Sequence, residues 1–344
     1  MSNLYAPKVM GADQDKLAAF RIQKTEQAPT KRFPLGQFPF RVDIGFGSST
    51  MTRDGALRIN TVEAVRKSAS KPTCKAIWAT NNIPQVSKFK GLKEFVTTST
   101  SGRNEFLVEN FESFFSYPIV AKKNNGSKGE GMKYIKNYEE LVTFLQSTRE
   151  LKAYHFEEMF EFDQEFRIHV SPWLENQLIT YQYTRKSGNT SEVVTKMRRN
   201  GVIFMLQKKL KQDAYDRGVR HTNRAGNYDS VVFTSKFTEQ PWMEEAMANA
   251  VKAIKVLGLD FGFVDVGYNS HANKYVFFES GSNPELSTPE KTCYIQALPH
   301  IILAKGTARG KIGIHLVKQV NTAARASNAV EVAVPVRTKV NIVF

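Results

Sequence analysis

The chain has 344 residues, of which 41% are hydrophobic and 11% aromatic, values typical of a globular protein large enough for two or three subdomains. No apolar run is long enough to cross a bilayer, and the first residues lack the apolar core of a signal peptide, so we expect no membrane partner and a cytoplasmic location. The two cysteines, Cys74 and Cys293, have no metal-ligand spacing and fit a reducing compartment.

The formal net charge of +15 is the most unusual bulk property. It favours an anionic partner, such as nucleic acid or an acidic peptide, or else reflects a lysine excess that only aids solubility. Basic residues concentrate between residues 196 and 224 and again after residue 302.

The first 81 residues predict an arm and a small leading unit. Residues 1–30 are polar without periodicity, residues 38–46 have a strand pattern, and residues 59–67 predict a short helix. A second helix is predicted over residues 70–81, with Pro72 in its first turn. Lys71 stands at the start of this helix, where a cation is unfavourable. This position hints at a contact to a phosphate group, and the alternative is a lysine that faces solvent.

A second lysine lies beside a glycine-rich loop. Residues 117–121 predict a strand, Lys122 stands at its end, and residues 126–131 contain three glycines. Backbone N–H groups of such a loop can turn toward a phosphate, although a loop of this composition is also common on solvated surfaces. Asn137 is placed to cap the helix that follows.

The second half of the chain predicts strands that carry charged residues. Residues 153–160 and 165–170 predict two strands, and in the latter Glu165, Arg167 and His169 share one face, which indicates either solvent or a polar site. Residues 177–186 and 193–202 predict a strand pair, residues 241–257 an amphipathic helix, and residues 289 onward a basic, valine-rich tail. Residues 260–268 and 274–280 predict adjacent strands, each with one acid, Asp265 or Glu279, amid apolar neighbours. Such a pair suits a hard cation such as Mg²⁺.

Together these motifs resemble those of the ATP-grasp superfamily, over about residues 60–287. The motifs that carry the resemblance, in chain order, are Ser70-Lys71 with Ile83-Pro84, Pro118 to Lys122, Gly126 to Gly131, Glu157 to Phe160, Glu165-Phe166, and Asp265 with Glu279. Finer features resemble the RimK-type carboxylate–amine ligases, namely Glu165-Phe166-Arg167 and the arginine-rich stretch that begins at Met197.

The resemblance implies a role for each motif. Two lysines and the glycine loop would hold the phosphates of ATP, the hinge strand and a phenylalanine would hold adenine, and two acids would hold Mg²⁺ or Mn²⁺. The residues implied in ATP binding are Lys71, Lys122, Gly126, Ser127, Lys128, Gly129, Gly131, Glu157, Glu158, Met159, Phe160, Glu165 and either Phe277 or Phe278. The implied metal ligands are Asp265, Glu279 and Asn283, and the implied catalytic cations are Arg167, Arg198, Arg199 and Arg224.

Two departures from the family's pattern stand near the implied metal. Gly281 occupies the position of the family's asparagine ligand, and Phe263 occupies a position at which some of its peptide ligases have arginine. These departures put the second metal ion, and turnover itself, in question.

The expected fold is therefore α+β, an ATP-grasp fold in which two α+β subdomains clasp ATP between antiparallel sheets, after a short N-terminal α/β unit. The expected division is residues 1–68 (arm and leading unit), 69–160 (lysines and glycine loop), 161–300 (metal and substrate) and 301–344 (basic extension). The expected function is an ATP-dependent ligase that joins a carboxylate to an amine through an acyl phosphate, with a peptide, protein or other macromolecule as acceptor. The alternative is a nucleic-acid-associated or virion-type binding protein on an inactive form of the same fold.

Overall fold

The computed structural model describes residues 8–10, 40–47, 54–98, 104–125, 131–148, 150–175, 179–187, 190–198, 201–216, 228–233, 241–284 and 288–310. The strands in these ranges are β1 (Lys8–Met10), β2 (Val42–Gly45), β3 (Leu57–Ile59), β4 (Phe89–Gly91), β5 (Val96–Thr98), β6 (Asn104–Phe106), β7 (Ile119–Lys123), β8 (Lys133–Ile135), β9 (Tyr154–Glu158), β10 (Gln164–Val170), β11 (Ile179–Ser187), β12 (Thr190–Arg198), β13 (Val202–Leu210), β14 (Tyr228–Phe233), β15 (Gly262–Asn269) and β16 (Lys274–Gly281). The helices are α1 (Val62–Ala69), α2 (Lys71–Thr80), α3 (Val108–Phe114), α4 (Tyr138–Ser147), α5 (Gln212–Asp216), α6 (Pro241–Val256) and α7 (Thr288–Ala308).

Two antiparallel sheets carry the candidate site. One has the strand order β4-β9-β7-β8 and the other has the order β14-β13-β10-β15-β16. A separate parallel sheet, β1-β2-β3, forms the leading unit, and β11 pairs with β12 as the sequence predicts. The predicted antiparallel pairing of the two acid-bearing strands, β15 and β16, is also confirmed.

Helices cover one face of the five-stranded sheet. Phe166, Ile168 and Val170 alternate along β10 and are buried in the same apolar cluster as residues of α1, α2 and α6. The sequence prediction for α6 is confirmed almost to the residue, because its apolar stripe is the face that packs and Gly258, at φ +78°, follows its end. The alternate residues of β10, including Arg167, therefore lie on the other face of the sheet.

The four-stranded sheet is supported by phenylalanines. The ring centroids of Phe111, from α3, and Phe156, from β9, are 4.8 Å apart, and Phe115 packs beside both. Asn137 caps α4 as predicted, because its side chain accepts a hydrogen bond from the backbone N–H of Glu140 at 3.0 Å. This core fixes β7 and β9, which supply the lysine and the hinge of the site.

The segment from residue 289, expected to be a tail, begins with helix α7. Leu298, Ile301 and Ile302 are fully buried against the leading unit and β13. Its apolar residues lie all round the helix and Pro299 stands inside it, so no periodic stripe marked it in the sequence. The helix runs across the expected division at residue 300.

A buried polar cluster ties the leading unit to the five-stranded sheet. Asp260 Oδ2 accepts hydrogen bonds from the backbone N–H of Asn60 and from Lys305 Nζ, both at 2.6 Å. The Asn60 amide group donates to the carbonyl oxygens of Gly45 and Phe261. None of the helices in the described part of the chain is long and apolar enough to cross a membrane.

Candidate functional site

The two lysines that the sequence singles out both lie near the end of β16. Lys71 begins α2, and its backbone N–H donates to the carbonyl of Asn124, which fixes the start of the helix beside the end of β7. Its Nζ lies 3.6 Å from an oxygen of Glu279. Lys122 lies on β7, with its Nζ 5.6 Å from the ring centroid of Phe278. We use "the cleft" for the space bounded by Lys71, Lys122, Phe278 and Glu279.

Glu157 forms a buried ion-pair network behind Lys122. Its two oxygens lie 2.5 Å from Lys122 Nζ and 3.7 Å from Lys75 Nζ, and the side chains of Glu157 and Lys75 are each only 2% exposed. His155 Nε2 lies 3.2 Å from the same carboxylate. Burial alone would raise the pKa of Glu157, but the two ammonium groups lower it well below its usual range. The carboxylate therefore holds two lysines, and the adenine contact implied for Glu157 stays a prediction.

Lys75 was missed in the sequence. It lies on α2, one helical turn after Lys71, and its Nζ also donates to the backbone carbonyl of Phe277 at 3.2 Å. Burial lowers the pKa of Lys75. The i, i+4 spacing of the two lysines was a usable signal, because a second lysine on the same face of a helix points toward the same neighbour.

The cleft and the network behind it carry an excess of positive charge. Lys71, Lys75 and Lys122 contribute three positive charges, against two negative charges from Glu157 and Glu279. In a partly dehydrated site, such an excess attracts a multiply charged anion. Lysine ammonium groups are common ligands of phosphate groups.

A small cavity lies beside the hinge between β9 and β10. Its volume is about 150 Å³, and Gln85, Glu158, Met159 and Phe160 are among the residues that line it. Pockets that enclose a whole drug-sized ligand usually have roughly 300–1,000 Å³. This cavity therefore has the size for one ring system, with the rest of a ligand outside it.

Gln85 brings a buried hydrogen-bond acceptor to this cavity wall. Its Nε2 donates to the backbone carbonyl of Lys75 at 3.0 Å, while its Oε1 accepts no hydrogen bond within the described part of the chain. The amide cannot rotate by half a turn without setting its oxygen against that carbonyl, so Oε1 stays an acceptor. Glu158, which accepts a hydrogen bond from the Ser87 hydroxyl, is the half-buried acid of the hinge.

A β-bulge decides between Phe277 and Phe278. Asp265 pairs with Glu279 and Val266 pairs with Phe277, which leaves Phe278 as the extra residue of β16. Phe277 is fully buried, with its ring centroid 5.9 Å from that of Trp78. Phe278 instead reaches Lys122, because Gly267 leaves no side chain in its place. Of the two, Phe278 is the one at the cleft, and Phe277 is a core residue.

Asp265 belongs to a buried group of four charges on β10, β13 and β15. Its Oδ1 accepts from Arg167 Nε at 2.7 Å and from Lys208 Nζ at 3.1 Å, and its Oδ2 accepts from Arg167 Nη2 at 2.8 Å. Lys208 Nζ also donates to Glu165 at 2.7 Å. We call Glu165, Arg167, Lys208 and Asp265 the four-charge cluster. Glu165 is thus paired with Lys208, and the ribose contact implied for it stays a prediction.

The cluster also sets the protonation of Asp265. Burial would raise the pKa of this carboxyl group, but Arg167 and Lys208 lower it below its usual value. Lys208 lies in a basic segment without a pattern that singles it out, and it becomes a partner of Glu165 only through the register of β13 with β10.

The residues present do not fit the metal site that the resemblance implies. Both oxygens of Asp265 already accept hydrogen bonds from cations, so a metal ion at this carboxylate would meet the positive charges of Arg167 and Lys208. A Cβ atom on Gly281 would lie 2.4 Å from the ring of Phe263, so the asparagine of the family would clash there. Asn283 is exposed and packs against Gly47. Within the described ranges, no group of three or more metal-binding side chains is found.

Of the other expected site residues, some are described by the structure and others lie outside the described residues. Gly131, at φ +69°, ends the glycine loop, whereas Gly126, Ser127, Lys128 and Gly129 lie outside the described residues. Arg198 ends β12, of which only the backbone is described, and Arg199 and Arg224 lie outside the described residues. Arg167 stacks on Phe263, with its guanidinium carbon 4.1 Å from the ring centroid.

Comparison with known proteins gives no match by sequence. No protein-family model matches the chain, and no curated protein sequence matches it.

Solved structures do match. A D-alanine–D-alanine ligase from Bacillus anthracis is 12% identical, with 89% of this chain and 99% of the ligase chain covered and a TM-score of 0.52. A carboxyaminoimidazole ribonucleotide synthase from Aspergillus clavatus, solved with ATP, is 13% identical, with 71% of this chain and 54% of that chain covered and a TM-score of 0.45. The ATP-grasp ligase PsnB, solved with a minimal precursor, is 14% identical, with 73% and 64% covered and a TM-score of 0.42.

The chain thus spans about half to two thirds of the length of the latter two proteins, and nearly all of the D-alanine–D-alanine ligase. The identities are too low to carry a function across. Together with the mixed helices and antiparallel sheets described above, the similarity shows that this chain has the ATP-grasp fold.

Proposed function

We propose that the protein is an ATP-dependent ligase that joins a carboxylate to an amine. The observation that supports the proposal is that Lys71 and Lys122 lie against Glu279 and Phe278, neighbouring residues of β16, within an ATP-grasp fold. The ring centroid of Phe278 is 6.4 Å from that of Phe160, which lines the hinge cavity of single-ring size. The excess positive charge of the cleft suits a triphosphate. The fixed acceptor of Gln85 suits the amino group of adenine.

The reaction has two steps. An oxygen of the carboxylate attacks the γ-phosphorus of ATP, the bond from that phosphorus to the β–γ bridging oxygen breaks, and ADP leaves. The nitrogen of the amine then attacks the acyl carbon, a proton leaves the nitrogen, and the phosphate departs with the electron pair of the C–O bond. The products are an amide, ADP and phosphate. Such transfers depend mainly on positioning and on neutralising charge.

Each of the residues of the candidate site has one proposed role in this reaction. Lys71 and Lys122 bind the phosphates, and Glu157 keeps Lys122 in place. Phe278 and the hinge residues Glu158, Met159 and Phe160 bind the adenine, with the phosphates covered by the loop of residues 126–131. A cation at the acyl carbon is expected from Arg198, Arg199 or Arg224, a role that stays a prediction from the resemblance, because the guanidinium of Arg167 is held by Asp265.

The substrates are the less specific part of the proposal. The likeness to RimK-type ligases in Glu165-Phe166-Arg167 and the basic segment of residues 196–224 favour a peptide, protein or other macromolecule as one substrate. We assign nucleotide binding to the subdomains of residues 69–160 and 161–300. A cytoplasmic location follows from the same scheme, since ATP is an intracellular substrate.

The test is a screen for ADP release. Purified protein is incubated with Mg²⁺ and ATP and with amino acids, short peptides and oligonucleotides, singly and in pairs, and ADP is measured. We expect ADP to form only when a carboxylate and an amine are both present, and Lys122→Met to lose this activity. Lys136→Met, a change at an exposed residue between β8 and α4, is the matched control.

Two results would contradict the ligase. One is ADP release that no pair of substrates increases in the wild type. The other is an unchanged rate in Lys122→Met. Binding of oligonucleotides that weakens steeply with salt, without any ADP release, would instead favour the nucleic-acid-associated alternative.

A further inference from the structure

The acidic pair of the site is already neutralised by side chains of the chain itself. Asp265 pairs with Glu279 across β15 and β16, and Arg167 is the register partner of Asp265 on β10. Lys71 stands next to Glu279 at the other end of this row. Two carboxylates side by side would repel each other, but here each has a cation within 4 Å.

The charges of this region sum to zero. Glu165, Asp265 and Glu279 carry three negative charges, and Lys71, Arg167 and Lys208 carry three positive charges. A divalent cation ligated here would add two positive charges to a group that is already neutral. It would also displace the hydrogen bonds of at least one buried cation, which is costly when no water can replace them. Mg²⁺ prefers oxygen ligands, and the oxygens of Asp265 already accept three hydrogen bonds from Arg167 and Lys208.

The two departures from the family's pattern are one structural change. The ring of Phe263 occupies the space that an asparagine at position 281 would need, and the same ring is the surface on which Arg167 stacks. Loss of the asparagine ligand and placement of Arg167 against Asp265 are therefore linked through one aromatic ring.

We propose that Arg167 and Lys208 take the electrostatic place of a divalent cation at Asp265, so that the chain binds nucleotide phosphates without a metal ion ligated by its own carboxylates. This inference rests on the proposed function, since it concerns the same nucleotide site. Positive charge toward the phosphates comes from Lys71, Lys75 and Lys122 instead. A metal ion that arrives with the nucleotide stays on the nucleotide.

The test is the affinity for ADP, measured by isothermal titration calorimetry in Mg²⁺ and in excess EDTA. ADP without Mg²⁺ is the more negative ligand, and a site built from lysines binds it at least as well as the Mg²⁺ complex. We expect a dissociation constant in EDTA that is within about threefold of that in Mg²⁺, or smaller. A site with protein-ligated metal would lose more affinity than this when the metal is removed.

Variants of Arg167 give a second readout. Arg167→Met frees an oxygen of Asp265, so the ratio of the two dissociation constants should rise, with weaker binding in EDTA. Arg167→Lys keeps the charge and is the matched control, with a ratio close to that of the wild type. A thermal melt checks that each variant is folded, and the wild-type titration needs no variant at all.

The outcomes separate this inference from the proposed function. ADP binding in both buffers with similar affinity supports the inference. Binding that is more than about threefold weaker in EDTA overturns it and leaves the proposed ligase intact. An unchanged ratio in Arg167→Met overturns the role given to Arg167. If ADP binds neither in Mg²⁺ nor in EDTA, both the inference and the proposed nucleotide-dependent function are wrong.

Discussion

Replacing Asp265 by asparagine removes one negative charge from the four-charge cluster and leaves the size of the side chain almost unchanged. Arg167 and Lys208 then share Glu165 as their remaining acid in the cluster. The cluster therefore predicts that Asp265→Asn destabilises the protein. If Asp265 and Glu279 were instead a pair of metal ligands, Asp265→Asn would stabilise the metal-free protein, because loss of one acid relieves the repulsion between the two carboxylates.

The structure sets the size of both effects. The Asp265 side chain is 4% exposed and that of Lys208 is 2% exposed, so solvent screens the pair little. Removing one partner of a buried ion pair costs about 3–5 kcal/mol. A change of this size lowers the melting temperature by about 6–10 °C in a protein of this length, at about 2 °C per kcal/mol. Repulsion between two carboxylates about 5 Å apart is roughly 3 kcal/mol at an effective dielectric constant of about 20, and its relief would raise stability.

The assay is thermal and urea unfolding of the wild type and Asp265→Asn in EDTA. The double variant Asp265→Asn with Lys208→Met restores the charge balance, and we expect it to recover at least about 1 kcal/mol of the loss. Glu279→Gln is the control, because the side chain of Glu279 is 36% exposed against 4% for Asp265, and it should change stability by less than about 1 kcal/mol. A higher melting temperature in Asp265→Asn would refute this account of the cluster.

Further predictions concern Glu157, Gly281 and pH. Glu157→Gln should cost about 3–5 kcal/mol in urea unfolding, because Lys122 loses its counter-ion in a buried site, and an unchanged midpoint would contradict the network. Gly281→Asn should destabilise the fold through its clash with Phe263, and Phe263→Ala should partly rescue it, which melting curves of the three proteins would show. Folding lowers the pKa of His155 below 6.5 and that of Glu157 below 4.5, so the unfolded chain binds more protons than the folded protein at acidic pH. The free energy of unfolding should therefore fall as the pH drops through these values. A melting temperature that stays constant down to about pH 4 would contradict this prediction.

The sequence predicted the parts of the fold that are determined by residues close together in the chain. The apolar stripe of α6, the cap at Asn137 and the alternation along β10 are each set by neighbours within a few residues, and all three were found. Helix α7 was not predicted, because it is apolar on all sides and holds Pro299, and only its burial against the leading unit defines it.

At the candidate site, too, the sequence predicted only the residues that a local pattern marks. The positions of Lys71 and Lys122 at the end of local elements marked them in the sequence. Lys75 and Lys208 carry equal weight in the structure, but each acquires its partner only when distant strands pair. A one-residue bulge, which no local pattern predicts, turns Phe278 to the cleft and leaves Phe277 in the core.

The central claim is that Lys71 and Lys122, from separate segments, bind one nucleotide. Isothermal titration of ATP into the wild type, Lys71→Met, Lys122→Met and the surface control Lys136→Met tests it most directly. A charged hydrogen bond to a phosphate is worth about 1.5–3 kcal/mol, so each cleft variant should bind about 10- to 100-fold more weakly, with the control unchanged. Equal affinities for all four proteins, or no binding by the wild type, would contradict the claim.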